Sequence, residues 1–233
     1  MKIFLTNKNK KLKIKVGNNE FLRFPINTHT IMPGEDLYTV IKQYATGCLQ
    51  EGDTLFVTEK IVAICQGRAY PLSSIKPRKL AFFLSRFVTK TPYGRGLRVP
   101  EAMEMAFREC GTLRILFAAM IAAVSKFFKR KGDFYRIAGS QIRSIDGPDP
   151  SAIPPYNSYV VLAPERPSAV AKKIKGLFKE KIEVIIVDIN DLGGDILGAS
   201  FKDLDKNLYI NILKDNPLGQ GKESTPLGVI RRI

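Results

Sequence analysis

Residues 186–200 read IVDINDLGGDILGAS, and the five residues that lead into them, Glu183-Val184-Ile185-Ile186-Val187, are mostly apolar and β-branched. A run of that kind is the mark of a buried strand. It opens into three aspartates, Asp188, Asp191 and Asp195, an asparagine and the adjacent glycines Gly193 and Gly194. The pattern predicts a core strand, Glu183 to Val187, that ends in an acidic, glycine-bearing turn. Carboxylates at a strand end suit Mg²⁺ or Mn²⁺, hard cations that take oxygen ligands, and adjacent glycines let backbone approach a phosphate closely. A turn between Leu192 and Leu197, capped by its own aspartates, accounts for the same letters without any ligand.

Outward from this stretch, the 233 residues carry 37 Lys and Arg against 22 Asp and Glu, a formal net charge of +15. Such a surface draws polyanions such as nucleic acid, nucleotides or anionic lipid. Cys48, Cys65 and Cys110 lie far apart and include no C-x-x-C pair, which fits a reducing, cytoplasmic setting. His29 is the single histidine, so a zinc site built on several histidines is excluded. No apolar core of a signal peptide follows the first lysine. The longest apolar run, ILFAAMIAAV at Ile115–Val124, is ten residues, well short of the ~20 that span a bilayer. A buried helix ending in the basic turn of Lys126, Lys129, Arg130 and Lys131 is the expected reading, with a helix on a membrane surface as the alternative.

Helices and strands alternate unevenly, which predicts an α+β class with mixed sheets and packed helices. Lys11 to Val16 alternates as an edge strand with a lysine face, part of a basic segment 1–24 ahead of a main domain 25–233. Helices are expected from Glu35 to Tyr44, Ser73 to Val88, Pro100 to Cys110 and Pro167 to Lys181. Strands are expected at Leu55–Val57, Phe134–Ile145, Tyr159–Leu162, Leu208–Leu213 and Val229–Ile230, and Ile61–Cys65 reads as strand or short helix. Standard motifs fail. Asp188-x-Asn190 lacks the remaining ligands of a calcium loop, GQGKES (219–224) lacks the leading glycine of a P-loop, and the pair Gly94 and Gly96 lacks a third glycine. Two acidic turns remain, at Asp146-Gly147 and Asp188, with a basic glycine loop at Gly219-Gln220-Gly221-Lys222.

The order of the pieces resembles the coenzyme F-420:L-glutamate ligase family. EGDTLFVTEKIVAICQGR (51–68) resembles that family's strand followed by S/T-x-I-S-K-x-E-G-R. AGSQIRSIDGPDPS (138–151) is similar to its N-A-G-[IV]-D-A-S-N, YVVLAPERPSAVAKKI (159–174) to its strand, prolines and helix, and IVDINDLGGDILG (186–198) to its I-[ST]-D-T-N-G. ESTPLGVIRR near the end is similar to D-G-I-P-x-V-V-[IV]-R. The resemblance implies an intertwined α+β fold, a homodimer, and a GTP- and Mg²⁺- or Mn²⁺-dependent ligase that adds L-glutamate to a carboxylate acceptor resembling a coenzyme F-420 precursor or a folate. It assigns Asp146 and Asp188 to the metal, with Asp191 as a substitute ligand where the family's threonine has become Ile189. Thr58, Glu59 and Lys60, with Gly219, Gln220, Gly221 and Lys222, fall to the nucleotide. The two acidic bends are expected to converge on one cation. Ile64 and Gln66 depart from the family's Lys and Glu, which leaves as alternative a lapsed ligase that holds RNA or another polyanion on its basic face, lysines 2, 8, 10, 11, 13 and 15 and the Lys172–Lys181 face.

Overall fold

In the computed structural model, residues 6–88, 96–128, 130, 132–191, 193–219 and 222–233 are described. Lys2, Gly94, Lys129, Lys131, Leu192, Gln220 and Gly221, named above, lie outside the described residues. The class is α+β, and two compact units divide the chain after Gly67 and again after Ala163, so that the first unit is made of both ends of the sequence.

The first unit is built on one mixed sheet. Its strands are β1 (Lys13–Val16), β2 (Asn19–Ile26), β3 (Thr54–Thr58), β6 (Glu183–Asn190), β7 (Gly193–Ala199) and β8 (Leu227–Arg232). They lie side by side in the order β1-β2-β8-β3-β6-β7. The lysine-faced strand sits at the sheet's edge, Lys13 and Lys15 outward, as its alternation predicts. Residues 13–16 and 19–24 thus belong to the same sheet as the segments after residue 25. The final strand β8 is not an appendage: it runs antiparallel to both β2 and β3 and closes the centre of the sheet. Strand β3 pairs in parallel with β6, and both are buried on two faces, which is why each reads as a nearly continuous apolar run.

Side chains alternate across this sheet. Phe56, Ile185, Val187 and Ile196 join Phe21, Ile230, Ile212 and Leu213 in one apolar cluster, the last two contributed by α9 (Lys206–Leu213). Leu55, Val57, Val184 and Ile186, fully buried, point the other way, toward the side where α8 (Pro167–Lys175) meets β7. Helix α1 (Leu37–Ala45) begins where Thr39 N donates to the Asp36 carboxylate at 2.8 Å, an N-cap. Helix α2 (Glu59–Cys65) follows β3 directly. Leu208–Leu213, expected as a strand, is helical because Asp205 caps its first turn by accepting from Leu208 N at 3.0 Å.

Charged side chains in this unit break the usual partition, Arg23 and Asp53 among them. Arg23 on β2 is 0% exposed. Its guanidinium donates to Ile212 O (3.0 Å), to Lys11 O (2.6 Å) and to both carboxylate oxygens of Asp215. Burial pushes the Asp215 carboxyl up, but the hydrogen bonds and charge of Arg23 outweigh it and leave the pKa below its ordinary 3.8.

The second unit packs α3 (Lys79–Ser85), α4 (Pro100–Cys110), α5 (Thr112–Phe127), α6 (Asp133–Ala138) and α7 (Ser140–Arg143) beside a small hairpin-like pair, β4 (Ala69–Pro71) with β5 (Tyr159–Val161). The helix expected over Ser73–Val88 begins only at Lys79. Pro77 lacks an amide hydrogen and forces its neighbour out of the helical region, so a short 3₁₀ turn, Leu72–Ser74, stands alone. The strand expected over Phe134–Ile145 is α6 and α7, broken at Gly139 (φ +107°). Glu104 is buried on α4 between Arg78 and Arg108, and Glu109 is held by Arg68. The helix expected to be buried at Ile115–Val124 is buried on one face only.

Candidate functional site

Strand polarity in the first unit decides which loops meet. Because β8 is antiparallel to β2 and to β3, while β3 and β6 are parallel, β2, β3 and β6 all run the same way. Their carboxyl ends and the start of β8 therefore share one edge of the sheet. In open α/β sheets this is the edge where ligands bind, since the loops there are free to vary over a fixed frame. Along it lie the loop after β2 with His29, Thr58-Glu59-Lys60 after β3, Asp188 to Asp191 at the end of β6, and the loop ahead of β8 with Gly219 and Lys222.

Hydrogen bonds tie these segments together. Thr58 N donates to Pro226 O at 3.0 Å and Thr28 N to Ser224 O at 2.7 Å. Ser224 Oγ donates to His29 O at 3.3 Å. The Gly219 end of the loop is fixed by Asn216 Nδ2 to Gly219 O (2.7 Å) and by Thr225 Oγ1 to Leu218 O (2.7 Å). Register sets Thr58 opposite Val187, so Glu59, the first residue past β3, follows level with Asp188, beyond which β6 runs on to Asn190. Every described residue assigned to nucleotide, and two of the three assigned to metal, thus fall on one edge.

The stretch 186–200 is a hairpin rather than a strand with an acidic turn. Strand β6 continues through Asp188, Ile189 and Asn190, and β7 returns with Asp195 opposite Asp188 and Gly193 opposite Asn190. Gly194 and Gly198 serve packing, while a Cβ on Gly193 would meet nothing within 4 Å. A Cβ on Gly194 would stand 2.7 Å from Asp188 O, and one on Gly198 would stand 2.5 Å from the backbone carbon of Pro167, at the start of α8. Ile189 packs against the apolar cluster beneath the sheet and presents no ligand. Asp191 is in an ion pair with Lys10 at 2.9 Å, and Lys10 also donates to Asp215 O at 2.7 Å. Asp195 meets Lys206 at 3.3 Å. The cross-strand acid pair Asp188 and Asp195 is the oxygen-rich feature that reading along the chain does not single out; six residues separate the two, and only the hairpin register sets them opposite each other.

A second cluster at this edge also escapes the sequence. His29 Nε2 lies 2.7 Å from Glu35 Oε2 and Nδ1 lies 2.8 Å from Tyr44 Oη. Met32 N donates to Glu35 Oε1 at 2.6 Å, and this bond, together with His29, holds the Glu35 carboxyl below the usual range. Both ring nitrogens of the single histidine are engaged in orienting this loop. Cys65 stands at the end of α2. Burial, with the charges of Glu35 and Asp36 adding to it, pushes its thiol up to about 12. At pH 8 roughly one Cys65 in 10⁴ is thiolate, so iodoacetamide labelling read by mass spectrometry is expected to be slower at Cys65 than at a model thiol by orders of magnitude.

The remaining acid assigned to metal, Asp146, belongs to the second unit. Its backbone is pinned to β5, with Asp146 N donating to Val161 O (2.9 Å) and Val161 N to Asp146 O (3.0 Å), and the residue is exposed. The next residue, Gly147, passes so close to Gly96 that a Cβ would lie 2.8 Å from Gly96 O.

The span from residue 25 to residue 197, from the end of β2 into β7, matches the family model of F420-0:gamma-glutamyl ligase. The chain belongs to the gamma-glutamyl ligase family. A comparison with curated proteins returns no match. The family span takes in the three segments Thr58–Lys60, Asp146 and Asp188–Asp191; the loop 219–222 and β8 follow it. Two positions at which the resemblance expects Lys and Glu, Ile64 and Gln66, have their surroundings within the first unit. Ile64 is buried in the core. Gln66 makes a reciprocal amide pair with the Glu165 backbone, Nε2 to O at 2.9 Å and N to Oε1 at 2.8 Å. A carboxylate there could accept the second bond but not donate the first.

Proposed function

We propose that this gamma-glutamyl ligase family member is a GTP- and divalent-metal-dependent amide ligase that joins L-glutamate to a carboxylate acceptor. The observation that carries the reading is the placement of Thr58-Glu59-Lys60 beside Asp188 at the carboxyl ends of two adjacent parallel strands, within the span that matches the family. Lys60 and Lys222 supply positive charge to that edge and Thr58 a hydroxyl. Asp188 and Asp146 are oxygen donors of the kind Mg²⁺ and Mn²⁺ prefer. Among the described residues of neither unit do three His, Cys, Asp or Glu side chains form a ready-made metal group. This suits an ion that takes one or two carboxylates from protein and the rest of its oxygens from nucleotide phosphates and water. Bound, such an ion neutralises phosphate charge during transfer.

The terminal phosphoryl group of the nucleotide passes to an acceptor carboxylate oxygen, giving an acyl phosphate and GDP. The amino nitrogen of glutamate then attacks the acyl carbon, phosphate leaves, and the nitrogen loses a proton to form the amide. The chain's part is to hold the two anions in line and to keep water from the acyl phosphate. The family resemblance carries a homodimer with it as the working form.

Binding gives the first test. A ligand that binds only the folded protein raises its stability, by about 2.7 kcal/mol at a hundredfold excess over Kd. GTP with Mn²⁺ is expected to raise the thermal midpoint of the wild-type protein and to leave that of Asp188→Asn nearly unmoved, with phosphate release dependent on glutamate and acceptor. No shift at millimolar nucleotide and metal would remove the proposal.

A further inference from the structure

One residue ties the loop between β2 and α1 to two other segments of the first unit. His29 Nε2 lies 2.7 Å from Glu35 Oε2, within the loop, and Nδ1 lies 2.8 Å from Tyr44 Oη, on α1. The His29 amide also donates to Tyr44 Oη, at 3.3 Å. The His29 carbonyl accepts from Thr28 Oγ1 at 2.8 Å and from Ser224 Oγ at 3.3 Å, and Thr28 N donates to Ser224 O at 2.7 Å. Side chain and main chain of the single histidine thus join α1, the loop and the segment ahead of β8 that carries Lys222.

An imidazole can make these bonds in either charge state, with different strength. Neutral, Nε2–H donates to the Glu35 carboxylate and Nδ1 accepts from the Tyr44 hydroxyl. Protonated, both nitrogens donate. The contact with Glu35 becomes an ion pair, and the bond to Tyr44 reverses, its oxygen accepting from Nδ1–H. The ion pair requires an ionised Glu35. The bond from Met32 N, with His29 adding to it, holds the Glu35 carboxyl below its ordinary 4.5 against the effect of burial, so Glu35 is charged over the whole range, about pH 5 to 8, in which histidines titrate. Around the pair stand the Tyr44 hydroxyl, Asp36 and Cys65. Asp36 is kept ionised by Thr39, whose hydroxyl and amide donate to it, and by the charge of Lys173 on α8. The Cys65 thiol of α2, pushed up to about 12, stays neutral. The histidine is therefore the group that changes charge in that range.

We infer that the His29–Glu35 contact is a proton-operated clasp, tightening the hold of the loop after β2 on the segment ahead of β8 when the imidazole is protonated and relaxing it when the proton leaves. The sign follows from linkage: a charge pair that exists only with the proton on histidine contributes at the acid end of the range and is lost as pH rises to the alkaline end. Its size is modest, because the His29 and Glu35 side chains are 43% and 30% exposed; a pair so placed changes an equilibrium by about threefold and weakens as salt rises. What it steadies is the edge where Thr58 N donates to Pro226 O, two residues past Ser224. The clasp stands on the geometry of this loop and does not depend on the ligase reading.

The test is amide hydrogen exchange of the full chain, read by mass spectrometry at pH 6 and at pH 8 and corrected for the intrinsic pH dependence of exchange. Peptides covering residues 28–35, where the amides of Thr28, His29 and Met32 donate to Ser224 O, Tyr44 Oη and Glu35 Oε1, are expected to be about threefold more protected at pH 6 in the wild-type protein. The difference is expected to shrink in high salt and to vanish in His29→Gln and in Glu35→Gln, with β3 and β6 unchanged throughout. Equal protection at both pH values in wild type would overturn the inference, as would a wild-type pH response in either variant. Should His29→Gln open the loop at every pH, Glu35→Gln, which keeps the imidazole, decides alone. No nucleotide or metal enters the measurement, so its outcome is separate from that of the thermal-midpoint test of the ligase.

Discussion

Asp215→Asn is expected to lower the stability of the protein by about 2–4 kcal/mol. Removing one member of a buried ion pair strands the other, and a stranded charge costs about 3–5 kcal/mol. The lower range applies here because Asp215 is 37% exposed while its partner Arg23 is fully buried. Two backbone carbonyls, Ile212 O and Lys11 O, continue to accept from Arg23 in the variant, but neither carries a charge. The double variant Arg23→Met/Asp215→Asn is expected to recover part of the loss, since no buried charge is then left without its partner. Urea unfolding of the three proteins measures this. The pH dependence has a definite sign. Asp215 has its pKa lowered on folding, so its contribution is present above about pH 4 and is lost as pH falls through the folded value. Wild-type stability should decline in that acid window more steeply than that of the asparagine variant. A variant as stable as wild type, with the same acid profile, would mean that Arg23 does not depend on Asp215.

Gly198→Ala is the second large effect. The backbone of Gly198 lies against the first residues of α8, and an added methyl would press on the main chain of Pro167 and Ser168, which has no flexible end to swing away. Overpacking of this kind costs about 1–3 kcal/mol. Gly176→Ala, at the end of the same helix in an ordinary helical conformation and with 3.5 Å to its nearest neighbour, is the control, expected within about 0.5 kcal/mol of wild type. The site should feel the first substitution too. Gly198 pairs with Ile186, two residues before Asp188, so pushing α8 away displaces the hairpin that carries the acid. Hydrogen exchange is expected to speed up in β7 and the end of β6 in Gly198→Ala and to stay unchanged in Gly176→Ala.

Both effects depend on contacts between segments distant in the sequence, and the same holds for the parts of the fold that were hard to read. Where a segment's own chemistry is strong, the sequence suffices. The helix expected from Glu35 to Tyr44 is α1, Leu37–Ala45, Pro100 opens α4, and the lysine alternation of residues 11–16 marks an edge strand. Where the local signal is balanced, the surroundings choose. Leu208–Leu213 alternates well enough for a strand, and Asp205 with the apolar cluster under the sheet makes it a helix. Phe134–Ile145 becomes two short helices that meet at Gly139, whose φ is +107°. Ser73–Val88 carries a helical pattern across Pro77, but a missing amide hydrogen is not negotiable.

The candidate site divides in the same way. Its residue types were legible: an acid after the strand Glu183–Val187, polar residues after Val57, a basic glycine loop near the end, all in the order of the gamma-glutamyl ligase family. The reason for the glycines was not. Gly194 serves the close approach of β7 to β6 and Gly198 that of β7 to α8, contacts that no reading along the chain shows. Nor were the partners of the acids legible, because Lys10 reaches Asp191 across 181 positions and Asp195 faces Asp188 only through the hairpin register. The sequence by itself determined the α+β class, the family, the excess of positive charge and which residue types end the strands, since each is a property of composition or local pattern. Only the tertiary structure decided that three parallel strands end on one edge, that β8 fills the centre of the sheet, and that α5 turns an apolar stripe outward. Those outcomes rest on strand order and on which face of an element finds cover, and neither is written in any single segment.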